Sequence, residues 1–400
     1  MLSRLSSAGA LMGAACLAMS CAALADDQDH VAPAVKLLTT IPVPGTQMKA
    51  FDISWIDADT QLYYLADRSN AAVDVVDARR NVFVKQIHGG FAGFTGNNDT
   101  SGPNGVVVAG HFLFVTDANS RVVSIDLRTE QIVGEVHTGG VPPKRADELA
   151  YDPEDSLILA VNNADDPPFA TLIHVDRNTG ALTLRQRITF ADATNGAEQP
   201  VWDPGTGRFY ISIPQIGANP QNGAVKRINP HSALVEATYP VNFCQPAGLT
   251  LGPNEDLLIG CSVVFDTAGA PWTRDPAALA PSAKPISVIM DARNGSIDKN
   301  VEGVGGNDEV WFNPGDGRYY LAARANPTGP VLGIVDAKTQ TLDQIVPTVS
   351  QAPGSAHSVA VNPHNNHAFV PFPANNVAPN CNNGCIAVYG VGGGKNSDND

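Results

Sequence analysis

Apolar and polar residues alternate in short runs along almost the whole chain, and the runs recur. The recurrence is plainest over residues 51–77, 103–126, 147–176 and 308–336. Each of these reads as a short apolar strand, a turn, a second strand, a polar loop, a third strand ending in Asp, then a turn and a fourth strand. Weaker copies begin near Glu198, Gln245 and His357. A period of about 40–50 residues with four strands per unit predicts an all-β chain folded as a β-propeller. Seven copies predict seven blades.

The last copy is one strand short. Residues 358–361, 368–371 and 386–391 read as strands, and no fourth follows them. Residues 35–43 (VKLLTTIPV) are expected to supply the missing outer strand and close the ring. Strand direction then separates two faces. The tight turns DADT, DPEDS, DPGTG, GPNED, NPGDG and NPHNN join first to second strands on one face, where Asp/Asn-Pro-Gly chemistry suits turning. The long segments 88–102, 162–169, 214–223, 262–285 and 372–384 fall on the other. Loops of that length gathered on one face predict a walled funnel over the channel, with neutral insertion at loop tips as the alternative.

Residues 1–25 read as a cleavable leader. Arg4 gives a positive start, residues 8–18 an apolar run, and Ala23-Leu24-Ala25 a small-x-small cleavage site before Asp26. The run is too short to span a bilayer. A lipoprotein cut before Cys21 and a buried N-terminal helix are the alternatives. The propeller domain then covers 26–391, and 392–400 (GGGKNSDND) is expected to be a disordered tail. The mature protein is expected to be periplasmic or secreted. In that oxidising setting Cys244 and Cys261, on neighbouring antiparallel strands of blade 5, predict one disulfide. Cys381 and Cys385, bracketing a short loop, predict another. A structural zinc site is the alternative, although CxxC…CxxC spacing is absent.

Without the leader, 24 basic side chains face 40 acidic ones, a net charge of −16. That argues against nucleic acid and anionic membranes as partners. No CxxCH, P-loop, GxGxxG after a strand, GxSxG or HExxH occurs, so no haem or nucleotide is expected.

Superposing the repeats on their first turns aligns Asp52, Asn104, Asp147 with Glu148, Glu198 with Gln199, Gln245, Asp308 with Glu309, and His357. These positions lead into the innermost strands, so their side chains are expected to converge at the channel mouth. Crowded carboxylates raise one another's pKa or recruit a cation, and an oxygen-rich set suits Ca²⁺ or Mg²⁺. Bonding to neighbouring backbone and channel water is the plainer alternative. His357 is a candidate base or ligand, with His88 and His111 weaker candidates. Arg324 is expected near Glu309, to pair with it or to hold an anionic substrate group.

The segments LADRSNAAVDVVD and VTDANSRVVSID are similar to the strand pair of YVTN/NHL-type propellers. PNGVVVAGHFLFVTDANSRV resembles a blade of the gluconolactonase/luciferin-regenerating/paraoxonase-like hydrolases. That resemblance implies a divalent-metal-dependent lactone or ester hydrolase with Asn104 as a ligand. The family's first-blade Glu falls here at Asp52 or Ile53. On this reading Asp52, Asn104, Glu148 and Glu309 hold the metal, and His357, Glu148 or Asp308 moves the proton. Gln199, Gln245 and Arg324 then contact a small-molecule substrate at the loop-rich face. The rival expectations are a non-catalytic binding or scaffold propeller, with a small molecule or protein on that face, and a metal-dependent lyase of the streptogramin-degrading type.

Overall fold

The structure is a computed structural model that describes residues 34–272, 283–349 and 355–392. The expected leader, the tail from residue 393 and part of the 262–285 loop lie outside the described residues. Seven antiparallel sheets form a seven-bladed β-propeller. The innermost strands are Ser54–Asp57, Val106–Ala109, Leu149–Asp152, Pro200–Asp203, Cys244–Leu251, Val310–Asn313 and Ala360–Asn362. The fifth blade carries an extra short strand, Pro271–Trp272, against Asp256–Phe265.

Sequence and burial agree strand by strand. Second strands such as Leu157–Asn162 and Arg318–Ala323 are buried along their length, because sheets pack on both their faces. Outermost strands such as Leu234–Asn242 alternate, with one face to solvent. The core has no single centre. It consists of seven apolar wedges, each shared by two adjacent blades.

The recurring turn residues act locally. Asp152 Oδ1 accepts from Glu154 N at 2.8 Å, Asp203 Oδ1 from Gly205 N at 2.9 Å and Asn313 Oδ1 from Gly315 N at 3.1 Å. Where an Asp follows or ends a third strand it does the same, as at Asp77, Asp126, Asp176 and Asp291.

The ring closes as expected. Val35–Pro42 pairs antiparallel with Cys385–Val391, outside His367–Phe372 and Ala360–Asn362. Gln344 of blade 6 brackets the start of the closing strand: Oε1 accepts from Val35 N at 2.9 Å and Nε2 donates to Val35 O at 2.8 Å. Both expected disulfides are present, Cys244–Cys261 and Cys381–Cys385. Cys261 lies opposite Pro246, two residues along the strand from Cys244.

Deleting residues 34–43 would uncover the edge of Cys385–Val391 and strip Ile41 and Val43 from the wedge between blades 7 and 1. The deletion is expected to aggregate or to melt far below the undeleted protein. Size-exclusion chromatography with thermal melting checks this; a monomer with unchanged melting temperature would rule the clasp out.

Candidate functional site

The backbone places the repeat residues in two layers. The first is fixed by one hydrogen bond repeated in five blades: Asp52 N to Ala66 O, Asn104 N to Thr116 O, Asp147 N to Val161 O, Glu198 N to Ser212 O and Asp308 N to Ala322 O, all at 2.7–2.9 Å. The next residue of each blade, Ile53, Gly105, Glu148, Gln199 or Glu309, accepts from the same partner residue's N–H and forms the second layer. These residues cap the channel lined by the innermost strands.

Above the second layer lies a cavity of about 300 Å³. Six carboxyl side chains line it: Asp52, Asp147, Glu148, Glu198, Asp308 and Glu309. Lys49, Arg68, Arg145, Arg324 and His357 line it too. Phe94 and Asn98 bring the 88–102 loop onto its wall.

Pairing among these charges is extensive. Arg68 Nη2 bonds Asp52 Oδ2, and Arg68 Nε donates to Asn104 Oδ1 at 2.9 Å. Asn104 Nδ2 donates to Ala146 O at 2.7 Å, so both ends of its amide are engaged. Arg145 Nη2 lies 2.9 Å from Asp147 Oδ2, and its Nη1 lies 3.7 Å from Asp52 Oδ2. Arg324 Nη2 reaches Asp308 Oδ2 at 2.9 Å.

His357 sits between two carboxylates, with Nε2 2.8 Å from Asp52 Oδ1 and Nδ1 2.6 Å from Asp308 Oδ2. Arg324 Nη1 is also 3.1 Å from Nδ1. That guanidinium works against a second proton on the ring. Burial works against the imidazolium, but Asp308 and the bonds to Asp308 and Asp52 outweigh it and raise the pKa to about 9. Burial likewise opposes the Asp52 charge, yet Arg68, His357 and Arg145 hold its pKa down at about 2. Asp308 is lowered in the same way, by Arg324 and His357 against burial.

The other four carboxyls of the cavity are raised instead. Burial, then Asp147 and Asp308, push Glu198 up to about 8. Burial raises Asp147 to about 6 despite Arg145. Glu148 and Glu309 are raised well above the usual range by burial and then by neighbouring carboxylates.

Several expected residues sit elsewhere. Asn104 is buried beside the cavity and does not line it. Gln245 turns away from the mouth, donating to Pro220 O at 3.2 Å. Gln199 lines the channel below, where its Oε1 accepts from Leu249 N at 2.6 Å. Arg324 pairs with Asp308 rather than Glu309, because it follows the second strand at the level of the first layer. His111 lies in a separate pocket with Phe112 and Arg177.

A resident divalent cation does not fit the expected Asp52–Asn104 pair, since the Arg68 guanidinium spans those two oxygens. Among the described residues no three His, Cys, Asp or Glu side chains converge as a metal centre. Arg68 and Arg145 escaped sequence reasoning. The repeat carried the signal for Arg68: it follows Ala66 by two residues as Arg324 follows Ala322, and those two alanines occupy one repeat position.

No protein-family model and no curated protein matches the chain. A solved structure does: Kuenenia stuttgartiensis hydrazine synthase, at 14% identity, over 82% of this chain and 94% of that one, with a TM-score of 0.62. What the two share is the fold.

Two outcomes follow from the charge pairing. Arg68→Leu would leave the Asp52 charge buried without its main partner, with an expected stability loss of about 3–5 kcal/mol. Denaturant unfolding reads it, and a loss below about 1 kcal/mol would contradict the assignment. The second outcome concerns pH. The stability supplied by His357 is complete below its ordinary pKa of 6.5 and is lost as pH rises through about 9. Glu198 and Asp147, also raised, lose their contributions in the same direction through about 8 and about 6. Asp52 acts oppositely: its contribution is present above 3.8 and lost as pH falls through about 2. Unfolding in urea is therefore expected to show greatest stability at about pH 4, where Asp52 is fully ionised and the raised carboxyls still hold their protons, and a decline towards about pH 9. His357→Gln should flatten the upper part of that decline. A wild-type profile that stays level across this range would contradict the clamped imidazolium.

Proposed function

We infer that this chain is an exported binding propeller whose small-molecule ligand occupies the charged cavity at the channel mouth, held by side chains rather than by a resident divalent cation. One observation carries the reading: the Arg68 guanidinium lies between Asp52 and Asn104. In a gluconolactonase-like hydrolase those oxygens would face the catalytic cation. Here the chain supplies its own.

The histidine weighs the same way. A general base needs a free lone pair near neutral pH. Both ring nitrogens of His357 face carboxylates that favour the doubly protonated ring. This weighs against both the lactonase and the lyase readings. A cavity of about 300 Å³ suits a small molecule better than a protein segment. Export is supported by the leader-like first 25 residues and by the two disulfides. Among the described residues no helix is long and apolar enough to cross a membrane.

Thermal melting of the mature protein after exhaustive chelation tests the reading. Ca²⁺, Mg²⁺ and Zn²⁺ are expected to leave the melting temperature unchanged. A screen of small polar compounds is expected to find ligands that stabilise by mass action, and Arg324→Ala should remove that effect. Metal-dependent stabilisation lost in Asn104→Ala, together with turnover of a lactone panel, would overturn it in favour of the hydrolase.

A further inference from the structure

The mouth cavity does not end at its carboxyl floor. A second cavity of about 390 Å³ fills the channel beneath it, and Ile53 and Glu148 line both. Its wall changes character within one residue of the acidic layers. Trp55, Tyr151, Trp202, Trp311 and Phe312 line it, and each is half-buried: part of each ring packs on an apolar wedge and the rest faces the channel. Trp55 and Trp311 meet edge to face with centroids 5.2 Å apart. The cavity reaches Pro153, exposed on the tight turn of blade 3.

Glu148 stands at the junction. It is only 5% exposed, and its Oε2 has no hydrogen-bond partner. Glu309, another carboxyl, shares a side-chain hydrogen bond with it. The cavity's arginines are committed elsewhere, to Asp52, Asp147 and Asp308. A buried carboxyl oxygen without a donor, opening onto an aromatic channel, suits a donor that carries positive charge and an apolar body.

We propose that the channel binds an organic amine, its ammonium group on Glu148 and Glu309 and its apolar group among Trp55, Trp202 and Trp311. The inference rests on the mouth-binding reading and gives that site its ligand class. An inorganic cation would leave the aromatic wall unused. A neutral polyol would find little to bond in the channel. A carboxylate ligand would join six carboxyls already crowded there. An arylalkylamine meets both halves: its ring replaces water against the indoles, and its N–H groups donate to Glu148 Oε2.

Calorimetric titration of the oxidised mature protein with 2-phenylethylamine, 2-phenylethanol and phenylacetate tests this. The amine is expected to bind about tenfold or more tightly than the alcohol, and phenylacetate not to bind. Glu148→Gln keeps the shape and removes the ionisable carboxyl. It should melt no lower than wild type and weaken the amine about tenfold or more without weakening the alcohol. Should that variant fail to fold, Glu309→Gln carries the same expectation. Val201→Phe, narrowing the channel wall, should weaken amine and alcohol together. Amine and alcohol binding alike, no amine binding, or full amine affinity in Glu148→Gln would each overturn the proposal. If the amine fails but another compound binds and is lost in Arg324→Ala, only the ligand class falls. If nothing binds, the mouth reading falls with it.

Discussion

Ring closure is the constraint on which everything else depends. Each apolar wedge is built from two blades, so no blade can bury its own faces. The wedge between blades 7 and 1 exists only if the two chain ends meet. It joins Ile41, Val43 and Met48 to Phe369, Ile386 and Val388. The Cys381–Cys385 loop fastens the seam: Gly384 O accepts from Val43 N at 3.0 Å and Asn383 O from Met48 N at 2.9 Å. Gly384 has φ near +98° and packs against Met48, where a Cβ would fall 2.5 Å from the Met48 Cβ. A side chain there would be strained twice over. The closing segment then runs straight on to Phe51 and Asp52, so the seam also aims the first carboxylate of the site.

The charges at the mouth cross the same seam. His357, leading into blade 7, bonds Asp52 of blade 1 and Asp308 of blade 6. Arg68 ties blade 1 to Asn104 of blade 2, and Arg145 ties Asp52 to Asp147 of blade 3. Five consecutive blades are thus linked by buried ion pairs or charged hydrogen bonds, while blade 4 contributes Glu198 with no ion pair among the described residues and Gln245 of blade 5 turns away. Buried pairs add little net stability when desolvation is counted, but removing one partner is costly. They fix how the inner rims sit against one another, which apolar wedges alone specify loosely.

The repeat, the closing strand, both disulfides and the convergence of Asp52, Glu148, Asp308, Glu309 and His357 could all be read from the chain. Those features follow from local pattern and from period. Partnership could not be read. Asp77 and Asp52 look alike in sequence, yet Asp77 bonds backbone two and three residues on, while Asp52 bonds a guanidinium and an imidazole supplied by other loops. The family resemblance implies Asn104 as a ligand to a cation, whereas its Oδ1 accepts from Arg68, 36 residues away in sequence. Gln245 escaped because blade 5 is bulged at that residue, which turns it from the ring towards Pro220. Position in a repeat predicts where a side chain starts, and only the neighbouring loops decide what it meets.

The two layers at the mouth also differ in kind. The first-layer acids Asp52, Asp147 and Asp308 are met by arginines that reach over from the loop face. Those arginines arise just after second strands or just before first strands, above the ring, so their reach ends at the first layer. One residue deeper, the same repeat position is Ile53, Gly105 and Gln199 in three blades and Glu148 and Glu309 in two others. Nothing basic arises from the innermost strands below it, where Trp55, Val107, Val201 and Trp311 line the wall. The channel therefore passes from compensated charge, through two uncompensated carboxyls, to apolar surface. A symmetrical repeat acquires direction in this way, and the layer of unmatched acids is where a ligand with one charged end has most to gain.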